Sequence, residues 1–156
     1  MDGLPVESCP LCRDVEAALA GGLFRLIAVN EHSVFVVGEH QYFPGYCMVV
    51  ARAHVREMHR MPGDVQHAIF SDVMRLGAAV ERAFKPLKLN YASFGNVVEH
   101  LHWHVIPRYA TETDPKAQPW ADEQRFKSRV TDAALATSVT NAVRLALQEQ
   151  FHAGGS

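Results

Sequence analysis

The segment EHLHWHVIPR, residues 99–108, sets His100, His102 and His104 at every second position, interleaved with Leu101, Trp103 and Val105. Successive side chains of a strand point to opposite faces. A strand here therefore puts three imidazoles on one face and turns the apolar residues toward a core. Helical spacing would scatter the histidines around the axis. Alternate strand residues stand about 7 Å apart, and imidazoles that close resist being charged together, because like charges lower one another's pKa. Neutral imidazole is the form that nucleophilic attack and metal binding both require. The alternative is a solvated polar face that happens to be rich in histidine. Three in strict register, followed by Pro107-Arg108, argue against it.

A second group of chemical interest is Cys9-Pro10-Leu11-Cys12. Two cysteines at this spacing make half of a zinc site and need two more ligands. Free thiols in a mobile N-terminus are the other reading. Cys47, inside GYCMVV, reads as a small buried hydrophobe. An odd count of three cysteines disfavours a disulfide framework. The chain has nine histidines. Of these, His32, His40, His59, His67 and His152 follow no comparable pattern and read as surface or packing residues.

The elements that must position these groups are legible in the patterning. Residues 23–30 and 33–38 read as two strands, with Glu31 and His32 as a tight connection. Residues 44–52 follow a Pro-Gly turn as a third strand. Residues 64–84 carry Val65, Ala68, Ile69, Val73, Leu76, Val80 and Ala83 at helical spacing, with Asp64 as N-cap and Pro86 as the stop. Residues 90–96 and 100–107 read as a fourth and a fifth strand, and 111–120 as an irregular loop. Residues 130–150 read as a C-terminal helix, with 151–156 as a frayed tail. This is an α+β pattern, helices against an antiparallel sheet, with no glycine-rich phosphate loop of the dinucleotide or Walker type.

HLHWHVI, with Pro107-Arg108 after it, resembles the His-x-His-x-His-x-x signature of the histidine triad (HIT) family of nucleotide hydrolases and transferases. The order of elements over residues 9–110 is similar too. The resemblance implies one HIT-like domain over 1–156: a five-stranded antiparallel sheet with a long central helix and a C-terminal helix, dimeric, and led by a CxxC segment at 1–12. It implies that His102 attacks the α-phosphorus of a dinucleoside polyphosphate or a nucleoside phosphoramidate. The nucleotidyl-histidine so formed is then hydrolysed to a nucleoside monophosphate. His104 would assist at the same phosphate, a role typically worth about 10²–10⁴-fold. A backbone carbonyl would fix the tautomer of His102. Histidine rather than glutamine at 104 favours water as the final acceptor, hence hydrolysis over transfer.

The same resemblance implies a structural zinc held by Cys9, Cys12, His54 and His100, a closed Cys₂His₂ set. Two features depart from the family pattern. The Gln-Ser/Thr loop that grips phosphate is missing, which leaves Asn96 as its polar substitute and Arg108 as either a further phosphate contact or a structural residue. The acidic or amide residue that holds the ribose falls at Gly38, which passes that role to the neighbouring Glu39.

The remaining composition bounds the partners. The chain is 156 residues long, 48% hydrophobic and 21% charged, with a formal net charge of −2. That fits one domain with a real core and lacks the basic balance of a nucleic-acid binder. No apolar run reaches the roughly 20 residues of a membrane span. The N-terminus has neither the basic start nor the apolar stretch of a signal peptide. The expectation is a cytoplasmic protein whose partners are a nucleotide and a second copy of itself. A nucleotide- or metal-binding protein of this fold with little turnover, and a nucleotidyltransferase, are the competing functions.

Overall fold

The computed structural model describes residues 8–153. Five antiparallel strands, β1 (Leu26–Val29), β2 (Ser33–Val37), β3 (Cys47–Ala51), β4 (Lys88–Ala92) and β5 (His102–Arg108), form one sheet in the order β1-β2-β3-β5-β4. Among the described residues four α-helices accompany it, α1 (Pro10–Leu19), α2 (Gly63–Phe84), the single turn α3 (Glu123–Phe126) and α4 (Ala133–Ala153), with a short 3-10 turn at Met58–Arg60. The α+β architecture expected from the sequence is the one found.

Strands β2 and β3 are buried along their whole length, which is unusual for an antiparallel sheet with one wet face. The reason is that both faces are covered. Phe35, Val37, Cys47, Val49 and Val105 pack against Val73, Leu76 and Val80 of α2 and Val139 and Val143 of α4. Val34, Val36, Tyr46, Met48, Val50 and Ile106 point the other way, toward Leu11 and Val15 of α1 and Phe126 of α3. Two-sided burial is also why these strands read as continuous apolar runs rather than alternating ones.

Several boundaries differ from the sequence expectation, each for a physical reason. Helix α1 was not anticipated. It begins with Pro10 in the first turn and Cys9 as N-cap, whose sulfur accepts the Cys12 N–H at 3.4 Å. The CxxC pair is thus the capped start of a helix. Helix α2 begins one residue before Asp64, with Pro62 in the cap position and no side-chain cap. It ends in left-handed Lys85 (φ 50°), just ahead of Pro86. Strand β4 is set earlier than 90–96 because its register runs from Lys88 opposite Arg108 to Ala92 opposite His104. Helix α4 starts at Ala133 because the two residues before its Asp132 cap are tied elsewhere. Val130 bridges to His40, and Thr131 donates its N–H to Glu39 O and its hydroxyl to Gly38 O at 2.9 and 2.6 Å. The helix also runs on to Ala153, through part of the expected tail. Residues 1–7 and 154–156 lie outside the described residues, as does the side chain of His152.

Strand β5 lies between β3 and β4, so its side chains meet neighbours on both flanks. Met48 stands opposite His104, and Val50 opposite His102. Trp103 and Val105 face the α2 side, as the alternation required.

Candidate active site

Strand β5 carries His102 and His104 on one face with their rings 4.8 Å apart and nearly perpendicular. His100 precedes the strand and is fully buried. The histidines therefore split into two environments. His102 is buried, and its Nδ1–H donates to the carbonyl of His100 at 2.6 Å. A carbonyl can only accept, so the proton sits on Nδ1 and the Nε2 lone pair is free. That is the form that attacks an electrophile or binds a cation.

His104 lies among aromatic rings. Its Nδ1 is 2.6 Å from the Tyr46 hydroxyl, and its ring meets that of Trp120 edge-on at 5.0 Å. Phe126 packs against both Tyr46 and Trp120. Burial, with a smaller contribution from His102, lowers the His104 pKa to about 3. His104 is consequently neutral across the physiological range. Ser93, just past β4, donates its hydroxyl to the backbone carbonyl of His102 at 2.7 Å and braces the strand from the other side.

His100 turns away from this pair. Its Nε2–H donates to Ala51 O at 2.6 Å, which leaves Nδ1 unprotonated. That nitrogen lies 3.4 Å from Cys12 Sγ and 3.6 Å from Cys9 Sγ, while His54 Nδ1 lies 3.1 Å from Cys12 Sγ. The four ligand atoms of Cys9, Cys12, His54 and His100 all lie within 4.8 Å of one another. Tetrahedral zinc with Zn–S near 2.3 Å and Zn–N near 2.0–2.1 Å separates sulfur and nitrogen ligands by about 3.5 Å. These residues fit that ion. The Ala51 carbonyl supplies the outer hydrogen bond by which a ligating histidine is usually oriented. With no cation, burial and the neighbouring Cys9 push the Cys12 thiol up to about 11. A divalent ion reverses that balance by displacing thiol protons.

The expected substrate contacts are arranged differently. Asn96 is exposed, one residue after the left-handed Gly95 (φ 70°) and near the triad in sequence. Glu39 is exposed, with its carboxylate 3.8 Å from the Arg25 guanidinium. No hydrogen bond joins either of them to His102 or His104 among the described residues. Of the two roles expected for Arg108, its bonds fill the structural one. Its guanidinium donates to both oxygens of Glu112, to Asn90 Oδ1, and to the carbonyls of Ala117 and Asp114 at 2.7–3.4 Å. These bonds use all five of its donors, and it also lies over the Phe43 ring. Arg108 therefore holds the 109–117 loop and has no donor left for phosphate.

Sequence reasoning missed Tyr46, Ser93, Trp120 and Phe126. A signal existed for Trp120: it is a lone large aromatic closing a polar, Pro-containing loop. Tyr46 was findable only through register, since Tyr46, just before β3, packs on the same side as Met48 and Val50 of that strand, and Met48 and Val50 pair with His104 and His102.

The HIT domain family model matches residues 25–111. Among curated proteins, Protein hit of Bacillus subtilis is 23% identical over 108 residues, spanning 66% of this chain and 72% of that protein. A HIT-like protein of Saccharolobus solfataricus is 26% identical over 111 residues, spanning 68% and 78% of the two chains. Among solved structures, a Zn-bound histidine triad family protein from Mycobacterium smegmatis superposes with a TM-score of 0.68 at 17% identity, covering 96% of this chain and 99% of that one. A histidine triad protein from Sinorhizobium meliloti gives a TM-score of 0.71 at 16% identity, covering 91% and 99%. At these identities the structural likeness is one of fold. The family model, which covers more than half of the chain and contains the whole triad, goes further: this chain belongs to the HIT domain family.

Proposed function

We propose that this protein is a nucleotide hydrolase acting at the α-phosphate of dinucleoside polyphosphates or nucleoside phosphoramidates. The observation that carries the reading is the Nδ1–H of His102 bound to its own strand's carbonyl, which frees Nε2. Nε2 attacks the α-phosphorus, and the P–O or P–N bond of the leaving group breaks. Water then displaces the nucleotidyl group from His102 and releases a nucleoside monophosphate. His104, neutral and held against Tyr46, contacts the leaving group. Splitting one displacement into two is the usual benefit of a covalent step. Asn96 and Glu39 remain the proposed contacts to phosphate and ribose. A protein that binds nucleotide with little turnover is the competing reading, because no Gln-Ser loop precedes the triad.

We also assign zinc to Cys9, Cys12, His54 and His100, a role supported by the fit of the ligand atoms and by the zinc-bound relative. All four positions are taken by protein, so the ion organises structure and leaves no place for substrate. The chain is further proposed to pair with a second copy of itself. Phe70 and Met74 of α2 are exposed at 48% and 41%, and Tyr91 on edge strand β4 at 39%. The Tyr91 hydroxyl sits against Gly77, so these residues form one apolar border along an unpaired strand. Both features call for cover.

Three outcomes are expected. Product analysis with diadenosine tetraphosphate should give adenosine monophosphate. His102→Ala should lose at least ~10³-fold in kcat and His104→Ala about 10²-fold. Near wild-type turnover in His102→Ala would reduce the triad to a binding feature. Elemental analysis of protein purified without chelator should find about one zinc per chain, with roughly two protons released on rebinding. Cys9→Ser should lose metal and thermal stability, while His102→Ala keeps both; unchanged stability on zinc removal counts against the assignment. Light scattering should give twice the 17.3 kDa chain mass. A monomer mass, with Tyr91→Glu indistinguishable from wild type, refutes the pairing.

A further inference from the structure

Tyr46 is the residue of this site that sequence reasoning left unused. Its ring is nearly stacked on His104, with centroids 5.9 Å apart and planes 30° from parallel, and its hydroxyl is 2.6 Å from His104 Nδ1. The contact is built into the fold. A Cβ on Gly38, which follows β2 and donates its N–H to the Tyr46 carbonyl, would lie 2.3 Å from the tyrosine ring, so the absence of a side chain at 38 is what admits the phenol. Phe126 closes the ring from another side.

The direction of the hydrogen bond follows from burial. Tyr46 is 4% exposed, and burial raises its pKa far above the ordinary phenol value, so the hydroxyl keeps its proton. A buried O–H requires an acceptor. Among the described residues its only hydrogen bond is to His104 Nδ1. The phenol is therefore the donor and Nδ1 the acceptor. A neutral imidazole that accepts at Nδ1 carries its proton on Nε2.

We propose that Tyr46 is a positioning residue that fixes His104 as its Nε2–H tautomer, and that this tunes the site toward nucleotides whose leaving group departs as an oxyanion. Phosphoanhydrides then react in preference to P–N phosphoramidates, a choice that rests on the hydrolase reading above. When His102 Nε2 attacks, the electron pair of the breaking P–O bond goes to the leaving phosphate oxygen. That oxygen is stable as an anion and needs only the Nε2–H hydrogen bond. In a phosphoramidate the pair goes to nitrogen, which must receive a proton as the bond breaks. A neutral Nε2–H is a poor source of one, whereas an imidazolium would be a good one. The aromatic residues around His104 disfavour that imidazolium, since burial lowers its pKa.

The test compares diadenosine tetraphosphate with an N-alkyl adenosine phosphoramidate in the wild type and in Tyr46→Phe, alongside ¹⁵N NMR of imidazole-labelled protein. Wild type should favour the anhydride at least ~10-fold in kcat/KM and show His104 as the Nε2–H tautomer. Tyr46→Phe keeps the ring. It should lose about tenfold in kcat on the anhydride with KM held within about twofold, narrow the ratio between substrates, and release the tautomer. Equal rates on both substrates in the wild type, an Nδ1–H tautomer at His104, or an equal loss on both substrates in Tyr46→Phe would overturn the proposal. Absence of turnover on either substrate would instead defeat the hydrolase reading, and leaving-group selection with it, while NMR still decides the tautomer in the wild type whether or not the variant folds.

Discussion

The hydrogen bond from His102 Nδ1–H to the His100 carbonyl, 2.6 Å long, is the contact on which the rest of the site depends. It determines which nitrogen of His102 is left free. Reversing the tautomer would leave a buried carbonyl without its donor, a loss of about 1–3 kcal/mol, and about 1.4 kcal/mol already makes a tenfold bias. The bond holds only if the His100 backbone is held. His100 is anchored through its Nε2–H on Ala51 O and by its place among Cys9, Cys12 and His54. The next residue is gripped as well: Leu101 donates to Val55 O at 2.7 Å and accepts from Ala51 at 3.0 Å. One residue thus links the cysteine–histidine cluster, through its side chain, to the chemistry of His102, through its carbonyl.

The second constraint is electrostatic. His102 and His104 sit on a strand between two others, in a sheet covered on both faces. Tyr46 and Trp120, both backed by Phe126, shield His104 from water and favour its uncharged form. The aromatic wall needs its own support, and Arg108 gives it. By gathering Glu112, Asp114 and Ala117, the guanidinium folds back the loop that returns Trp120 to His104. A buried arginine in this position is tolerable because Glu112 pairs with it at both oxygens and every donor is matched.

What was legible in the sequence follows from which signals are local. Alternation in HLHWHVI gave the strand and the opposite facing of His102 and His104 against Trp103 and Val105, because period two is a property of a single segment; it did not reveal that His100 stands before the strand and is fully buried. The long helix was legible for the same reason. Helix α1 carried a readable signal that went unused: Pro10 in the first turn, then Leu11, Val15 and Ala18 on one face. The roles of Tyr46 and Arg108 were not local. Tyr46 reaches His104 only through the pairing of β3 with β5, and Arg108 meets its partners only once the 109–117 loop closes on it. An arginine following a nucleotide-type triad invites a phosphate role; its full set of internal acceptors becomes visible only in three dimensions.

The central claim is that His102 Nε2 bonds to phosphorus during turnover. Stereochemistry at the α-phosphorus tests it most directly. A dinucleoside polyphosphate made chiral there with sulfur, hydrolysed in ¹⁸O-water, yields a monophosphorothioate whose configuration can be read. Two successive in-line displacements, by His102 and then by water, predict retention. Inversion would mean that water attacks the substrate directly, and it would contradict the account.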